Sequence, residues 1–277
     1  MLQRMSPELI WRESMFSSYR TLVALTAAVV VLAGGVPAAS ADEALDKAFD
    51  ALKTFDWGQD RSALVPIDAA VAASKDDAAA RKDLETRLAA LLKTDAPHAA
   101  KDVACRQLSL VGSAACVPAV APLLADEKLS HMARYALERI PAPEAVAAMR
   151  DALSKVKGRV KVGVINSLGV RRDAEALGAL VKLLEDSDKE VASAAAAAVG
   201  AVGTPEAAKA LDAFQAKAPK EILLAVADAR LSCAEKLLAD GKKAEAMAIY
   251  KALSKGELPK HVQVAARRGL LAAMRTK

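Results

Sequence analysis

The sequence predicts an all-α chain: an α-α superhelix, or α-solenoid, of stacked antiparallel helix pairs. Composition is the first observation. Of 277 residues, 53% are hydrophobic, 26% are charged and only 3% are aromatic. So apolar a chain is not disordered, and so few aromatic residues do not suit a β-sandwich or barrel. Three cysteines are too few for a disulfide framework. Alanine, leucine, lysine and glutamate are helix formers. The second observation is a repeat. VACRQLSLVG, MARYALERIP, VKVGVINSLG and VASAAAAAVG begin at 103, 132, 160 and 191, so they lie 29, 28 and 31 residues apart. The third is another set of apolar anchors, Val120, Met149, Leu180 and Leu211, with spacings of 29, 31 and 31. An ordinary helix bundle has no reason for such a period, whereas stacked hairpins share one continuous core.

The amino-terminal segment reads as an address. Arg20 precedes an uncharged run, LVALTAAVVVLA, which Gly34, Gly35 and Pro37 end before Ala39-Ser40-Ala41. This is the pattern of a secretory signal peptide over residues 1–41, with cleavage expected near Ala41. The run is too short to span a bilayer, which takes about 20 residues, so the mature chain is expected to have no transmembrane helix. Glu8 and Glu13 do not suit a leader. A start at Met15 would remove them, which makes residues 1–14 a start-site artefact. Processing removes three basic and two acidic residues, leaving 36 against 32 and a net charge of +4. That balance permits an anionic partner without demanding one.

Residues 42–94 form an N-terminal helical cap in this reading, with helices over 42–54, 62–73 and 77–93. Each first helix of the repeats that follow starts on an apolar residue and places aliphatic residues or alanine five and eight positions on. Each ends at Gly112, Pro141, Gly169 or Gly200, where glycine is expected to take the left-handed C′ position. The second helices start at Ser113, Ala142-Pro143-Glu144, Asp173-Ala174-Glu175 and Thr204-Pro205-Glu206. Thr204 suits an N-cap, and proline the first turn. Their cores are expected around 117–124, 145–153, 177–184 and 207–214.

The stretch VASAAAAAVGAVGTPEAAKAL, residues 191–211, resembles a HEAT-type repeat of the short class, also called the phycobilin-lyase-type HEAT-like repeat. The resemblance covers about residues 95–219 and implies an α-solenoid. It departs from the pattern at Pro141, where glycine is expected, and at Lys161, where alanine is usual. Residues 220–277 form a C-terminal helical repeat or cap, with helices over 221–239, 242–254 and 261–274. Ala246-Met247-Ala248-Ile249-Tyr250 resembles the second helix of a tetratricopeptide repeat. A terminal unit needs a polar outer face, which Arg267, Arg268, Arg275 and Lys277 would supply.

Few residues suggest chemistry. His98, His131 and His261 have no second ligand at metal-binding spacing, and no phosphate loop or nucleophile motif occurs, so no catalytic, metal or cofactor site is expected. Cys105 and Cys116 fall on one helical hairpin, close enough in sequence for a disulfide. The other reading is that Cys105, Cys116 and Cys233 are small buried apolar residues. A basic stretch holds Arg150, Lys155, Lys157, Arg159, Lys161, Arg171 and Arg172. Lys155, Lys157, Arg159, Lys161, Arg171 and Arg172 could form a patch for an anionic partner, or be solvated charges among Asp151, Asp173 and Glu175. Phe49, Phe55 and Trp57 are a cap core or an exposed anchor. Nucleic acid is not expected, because aromatic side chains do not interleave with the charges. The function expected is a non-catalytic, exported (periplasmic or secreted) scaffold that binds an unidentified protein. The alternatives are a lyase-like enzyme or enzyme accessory sharing the repeat, and a self-assembling envelope component.

Overall fold

The computed structural model describes residues 38–255 and 257–275, and every regular element among them is helical. Residues 1–37 of the leader expected over 1–41, and Lys277, lie outside the described residues, and the expected cut after Ala41 falls in the first turn of α1 (Ala38–Lys53). The cap continues with α2 (Val65–Ala73) and α3 (Ala78–Leu92). Asp77 caps α3 by accepting from the Ala79 and Ala80 amides at 2.9 and 3.0 Å, which satisfies two otherwise orphaned donors.

Hairpins follow. Their first helices are α4 (His98–Val111), α6 (Ser130–Arg139), α8 (Gly158–Val170), α10 (Lys189–Val202) and α12 (Leu223–Ala239). Their second helices are α5 (Val117–Val120), α7 (Pro143–Leu153), α9 (Leu177–Leu183), α11 (Pro205–Gln215) and α13 (Lys243–Lys255). A last helix, α14 (Lys260–Arg275), packs on α13 and α12. The expected caps form: Thr204 Oγ1 accepts from the Ala207 amide at 3.2 Å, with Pro205 in the first turn.

First helices pack on first helices along the chain, most extensively α8 on α10 and α10 on α12. The predicted anchors make this core. Leu108, Leu137, Ile165 and Ala196 are fully buried, and so are Val120, Met149, Leu180 and Leu211. The alanine run 194–198 explains the closeness of the middle helices: four of its five residues are buried and carry little bulk. Every second helix rests on the next first helix, α7, α11 and α13 rest also on the first helix of their own hairpin, and second helices touch one another sparsely between α7 and α13.

Three expectations differ. The second helix of the first hairpin is not continuous. It runs as a 3-10 turn Ala114–Cys116, then α5, then a 3-10 turn Ala121–Ala125. Pro122 has no amide to donate to the Pro118 carbonyl four residues back, so the α-ladder stops there. The repeated glycines are not left-handed caps either. Gly169 and Gly200 lie inside α8 and α10, and Gly112 has φ near −67°. The left-handed residue ending α10 is Gly203, φ 67°. Gly169 and Gly200 serve close approach instead: a Cβ on Gly200 would sit 2.4 Å from the Ala229 carbonyl oxygen, and one on Gly169 3.0 Å from the Ala198 Cα. Finally, the outer face of α14 is not uniformly polar. Leu271 and Met274 are half exposed beside Arg267, Arg268 and Arg275.

Candidate binding grooves

The basic residues do not gather into one patch. Lys155, Lys157 and Arg159 are exposed at the start of α8, while Arg171 and Arg172 follow its end. A helix of 13 residues separates the two groups by about 20 Å, at roughly 1.5 Å per residue. Two of the cations are engaged within the protein. Lys161 pairs with Asp186 at 3.7 Å. Arg171 donates to the carbonyls of Glu138 and Ile140, both at 3.1 Å, and so closes the end of α6. Arg150 is likewise committed, to Asp173 at 3.0 Å and Glu175 at 2.8 Å. Arg172 takes a left-handed turn conformation with φ 51°.

The Cys105–Cys116 bridge is not made. Both residues, and Cys233, are buried free thiols. The Cys116 sulfur donates to the Ser113 carbonyl at 3.2 Å. Burial, then the charge of Asp102, pushes the Cys105 thiol up to about 12. Burial, then the hydrogen bond and charge of Glu85, pushes Cys116 up to about 12. Burial raises Cys233 to about 11. Reactive thiolates are favoured by the opposite setting, a cationic and open one. The aromatic trio divides. Phe49 and Phe55 belong to the core, with Arg87 stacked 3.9 Å over the Phe49 ring. Trp57 is 66% exposed, beside a cleft of about 540 Å³ that His98, Asp102 and Lys128 also line. No group of His, Cys, Asp and Glu suited to a metal occurs among the described residues.

Buried and half-buried polar groups staple one hairpin to the next. Glu85 of α3 accepts from the amides of Ser113 (2.7 Å) and Cys116 (3.1 Å) and from the Ser113 hydroxyl (2.8 Å). Arg134 of α6 donates to the Gly163 carbonyl at 3.2 Å and to Ser167 Oγ at 3.3 Å, and that hydroxyl donates to Glu138 at 2.5 Å.

Two grooves open between second helices. One of about 310 Å³ lies between the α5 segment and α7, lined by Pro118, Ala121, Pro122, Ala148 and Ala152, with Lys155 at its end. Another of about 340 Å³ lies between α11 and α13, lined by Pro205, Ala208, Ala248, Ile249 and Ala252. Small apolar walls follow from the alanine-rich sequence. The second groove also holds a residue that the repeat pattern above does not include. Gly169 meets Ala198, and Gly200 meets Ala229 in the same way, which sets the frame of a fifth copy starting at Ile222, 31 residues after Val191. The place eight residues on holds Val111, Ile140, Leu168 and Val199 in the other copies, all buried. In the fifth it holds Arg230, 6% exposed. One guanidinium nitrogen donates to Asp212 at 2.5 Å, another to Gln215, and Nε has no partner. Burial pulls its pKa down, and the Asp212 charge opposes that. Extending the repeat frame by one period past Pro219 is the signal that would have found it.

Residues 154–232 match the family model of HEAT repeats. That match falls on the hairpins from α8 to α12. The described residues have an all-α solenoid fold of stacked antiparallel helix pairs, HEAT-like over 154–232. No curated protein matches this solenoid. Among solved structures it is similar to a designed armadillo repeat protein, 19% identical, covering 83% of this chain and 99% of that one, TM-score 0.35. It is also similar to a designed armadillo repeat protein in complex with the peptide (KR)4, 17% identical, covering 83% and 98%, TM-score 0.31. A third is an engineered protein, 19% identical, covering 82% and 96%, TM-score 0.29. No helix of the solenoid, among the described residues, is long and apolar enough to cross a membrane.

Proposed function

We propose that this chain is an exported, non-catalytic scaffold that binds another protein, seating segments of its partner between second helices. The observation that carries this is the pair of alanine-lined grooves, of about 310 and 340 Å³, between the α5 segment and α7 and between α11 and α13. Each second helix buries one apolar face in the core, through Val120, Met149, Leu180 or Leu211, and its other face presents side chains outward, as solenoid binding surfaces do. The reading of residues 1–41 as a leader supports export. The long hairpin of α12 and α13, turned at Gly241 with φ 77°, supports a tetratricopeptide-like carboxyl-terminal unit.

The test is affinity capture with the processed chain, residues 42–277, from an envelope extract at low and high salt. Two variants accompany it, Ala148→Trp and Ala248→Trp, each filling one groove. One stoichiometric partner that survives high salt and is lost with either variant is the expected result. Capture that neither variant affects overturns the groove reading. Capture lost at high salt and in a Lys155, Lys157 and Arg159 triple variant would move binding to the start of α8. A small-molecule substrate turned over by the chain would favour the enzyme alternative.

A further inference from the structure

A cation in a place four other copies fill with an aliphatic residue needs a reason. Burying a guanidinium is costly unless it is fully paired. Arg230 is not fully paired. Its one carboxylate partner, Asp212, has a side chain 69% exposed to solvent, and its Nε has no partner. Stability alone would be better served by the valine, isoleucine or leucine of the other copies. Arg230 lines the α11–α13 groove, whose other walls are Pro205, Ala208, Ala248, Ile249 and Ala252. Lys209, Asp212 and Glu245 stand with them. A mostly apolar concavity of this size with one convergent buried charge is the usual form of a small-ligand site.

We infer that this groove binds an aliphatic group bearing a carboxylate, with Arg230 as its counter-ion and the alanine walls holding the aliphatic part. The inference rests on the scaffold reading, since a chain-terminal aliphatic residue of a partner carries this chemistry. A free short-chain carboxylic acid carries it too. Asp212 competes with the ligand: it accepts from one guanidinium nitrogen and turns to solvent when a carboxylate arrives. Lys209 balances Glu245 among the lining charges.

The experiment uses the full chain with labelled alanine methyl groups, read by NMR at Ala208, Ala248 and Ala252. The probes are hexanoate, 1-hexanol, and a peptide ending in leucine as the free acid and as the amide. Saturable shifts with hexanoate and with the free-acid peptide are expected, with hexanol and the amide weaker by about tenfold or more, the loss of one charge-assisted contact. Asp212→Asn should bind the carboxylates about fivefold more tightly, because the competing anion is gone. It leaves Arg230 in place, so lost folding is not the readout. Ala248→Phe should abolish the shifts at Ala208 and Ala252. A response to hexanoate alone supports the site and assigns it to free acids. Equal binding of free acid and amide overturns the inference and leaves the scaffold reading standing. No saturation by any probe, or weaker carboxylate binding in Asp212→Asn, also overturns it.

Discussion

Replacing Gly200 by alanine should destabilise the solenoid, although alanine is the better helix former. Gly200 lies inside α10, and an added Cβ would meet the backbone of α12: the Ala229 oxygen at 2.4 Å, with its carbonyl carbon and Cα at 2.9 Å. Ordinary contact begins near 3.4 Å, so α12 must withdraw by about 1 Å. A gap of that size forfeits a quarter to a half of the dispersion energy of the pairs it separates. Overpacking of this kind costs about 1–3 kcal/mol, against a gain of about 0.5–1 kcal/mol from removing glycine's backbone freedom. The net loss is about 1 kcal/mol, the middle of a range from about 0 to about 2.5 kcal/mol. Gly178 in α9 is the control. Nothing lies within 4 Å of its added Cβ, so Gly178→Ala should gain about 0.5–1 kcal/mol. Gly169→Ala should fall between, since Ala198 at 3.0 Å must yield by only a few tenths of an ångström. Urea unfolding followed by circular dichroism gives the order, and hydrogen exchange localises the loss to α10 and α12, because coupling in a solenoid runs between neighbours. A Gly200→Ala protein as stable as Gly178→Ala would refute close approach as the reason for the repeated glycines.

Glu85→Ala strands the buried Cys116 amide and removes the acceptor of the Ser113 amide; it should cost roughly 1–3 kcal/mol, seen as a lower urea midpoint that Glu85→Gln restores in part. The three thiols should resist a disulfide reagent at pH 8 in the folded protein and all react on unfolding. Their folded values of about 11 to 12 lie above the ordinary 9.0, so the folded state favours the protonated form. Stability from this source is complete below pH 9 and falls as pH rises from 9 towards 12. A urea midpoint that climbs over that range would contradict the burial of the thiols. Trp57, alone among tryptophans in residues 42–277, should be quenched by acrylamide almost as strongly in the folded as in the unfolded chain. Strong protection on folding would place it in the core with Phe49 and Phe55.

What the sequence determined by itself is what depends on near neighbours in the chain. The period of apolar anchors marked the core of every hairpin from Leu108 to Leu211, because a helix repeats its face every 3.6 residues and a stacked unit must bury that face. Thr204 announced its helix, because a cap bonds only two or three residues away. Pro122 could have announced the break after α5 for the same reason. The tertiary structure decided whatever depends on the next hairpin. A glycine at a helix end and a glycine under a crossing backbone look alike in sequence, and only the position of Ala229 separates them at Gly200. The basic residues from Lys155 to Arg172 read as one stretch, yet a helix about 20 Å long lies between their two groups, and Arg171 turns inward to close α6. Cys105 and Cys116 share a hairpin and remain thiols. Arg230 reads as one more surface cation until stacking fixes its register. It then proves to hold a core position beside an apolar groove, because burial is a property of the stack and not of the helix.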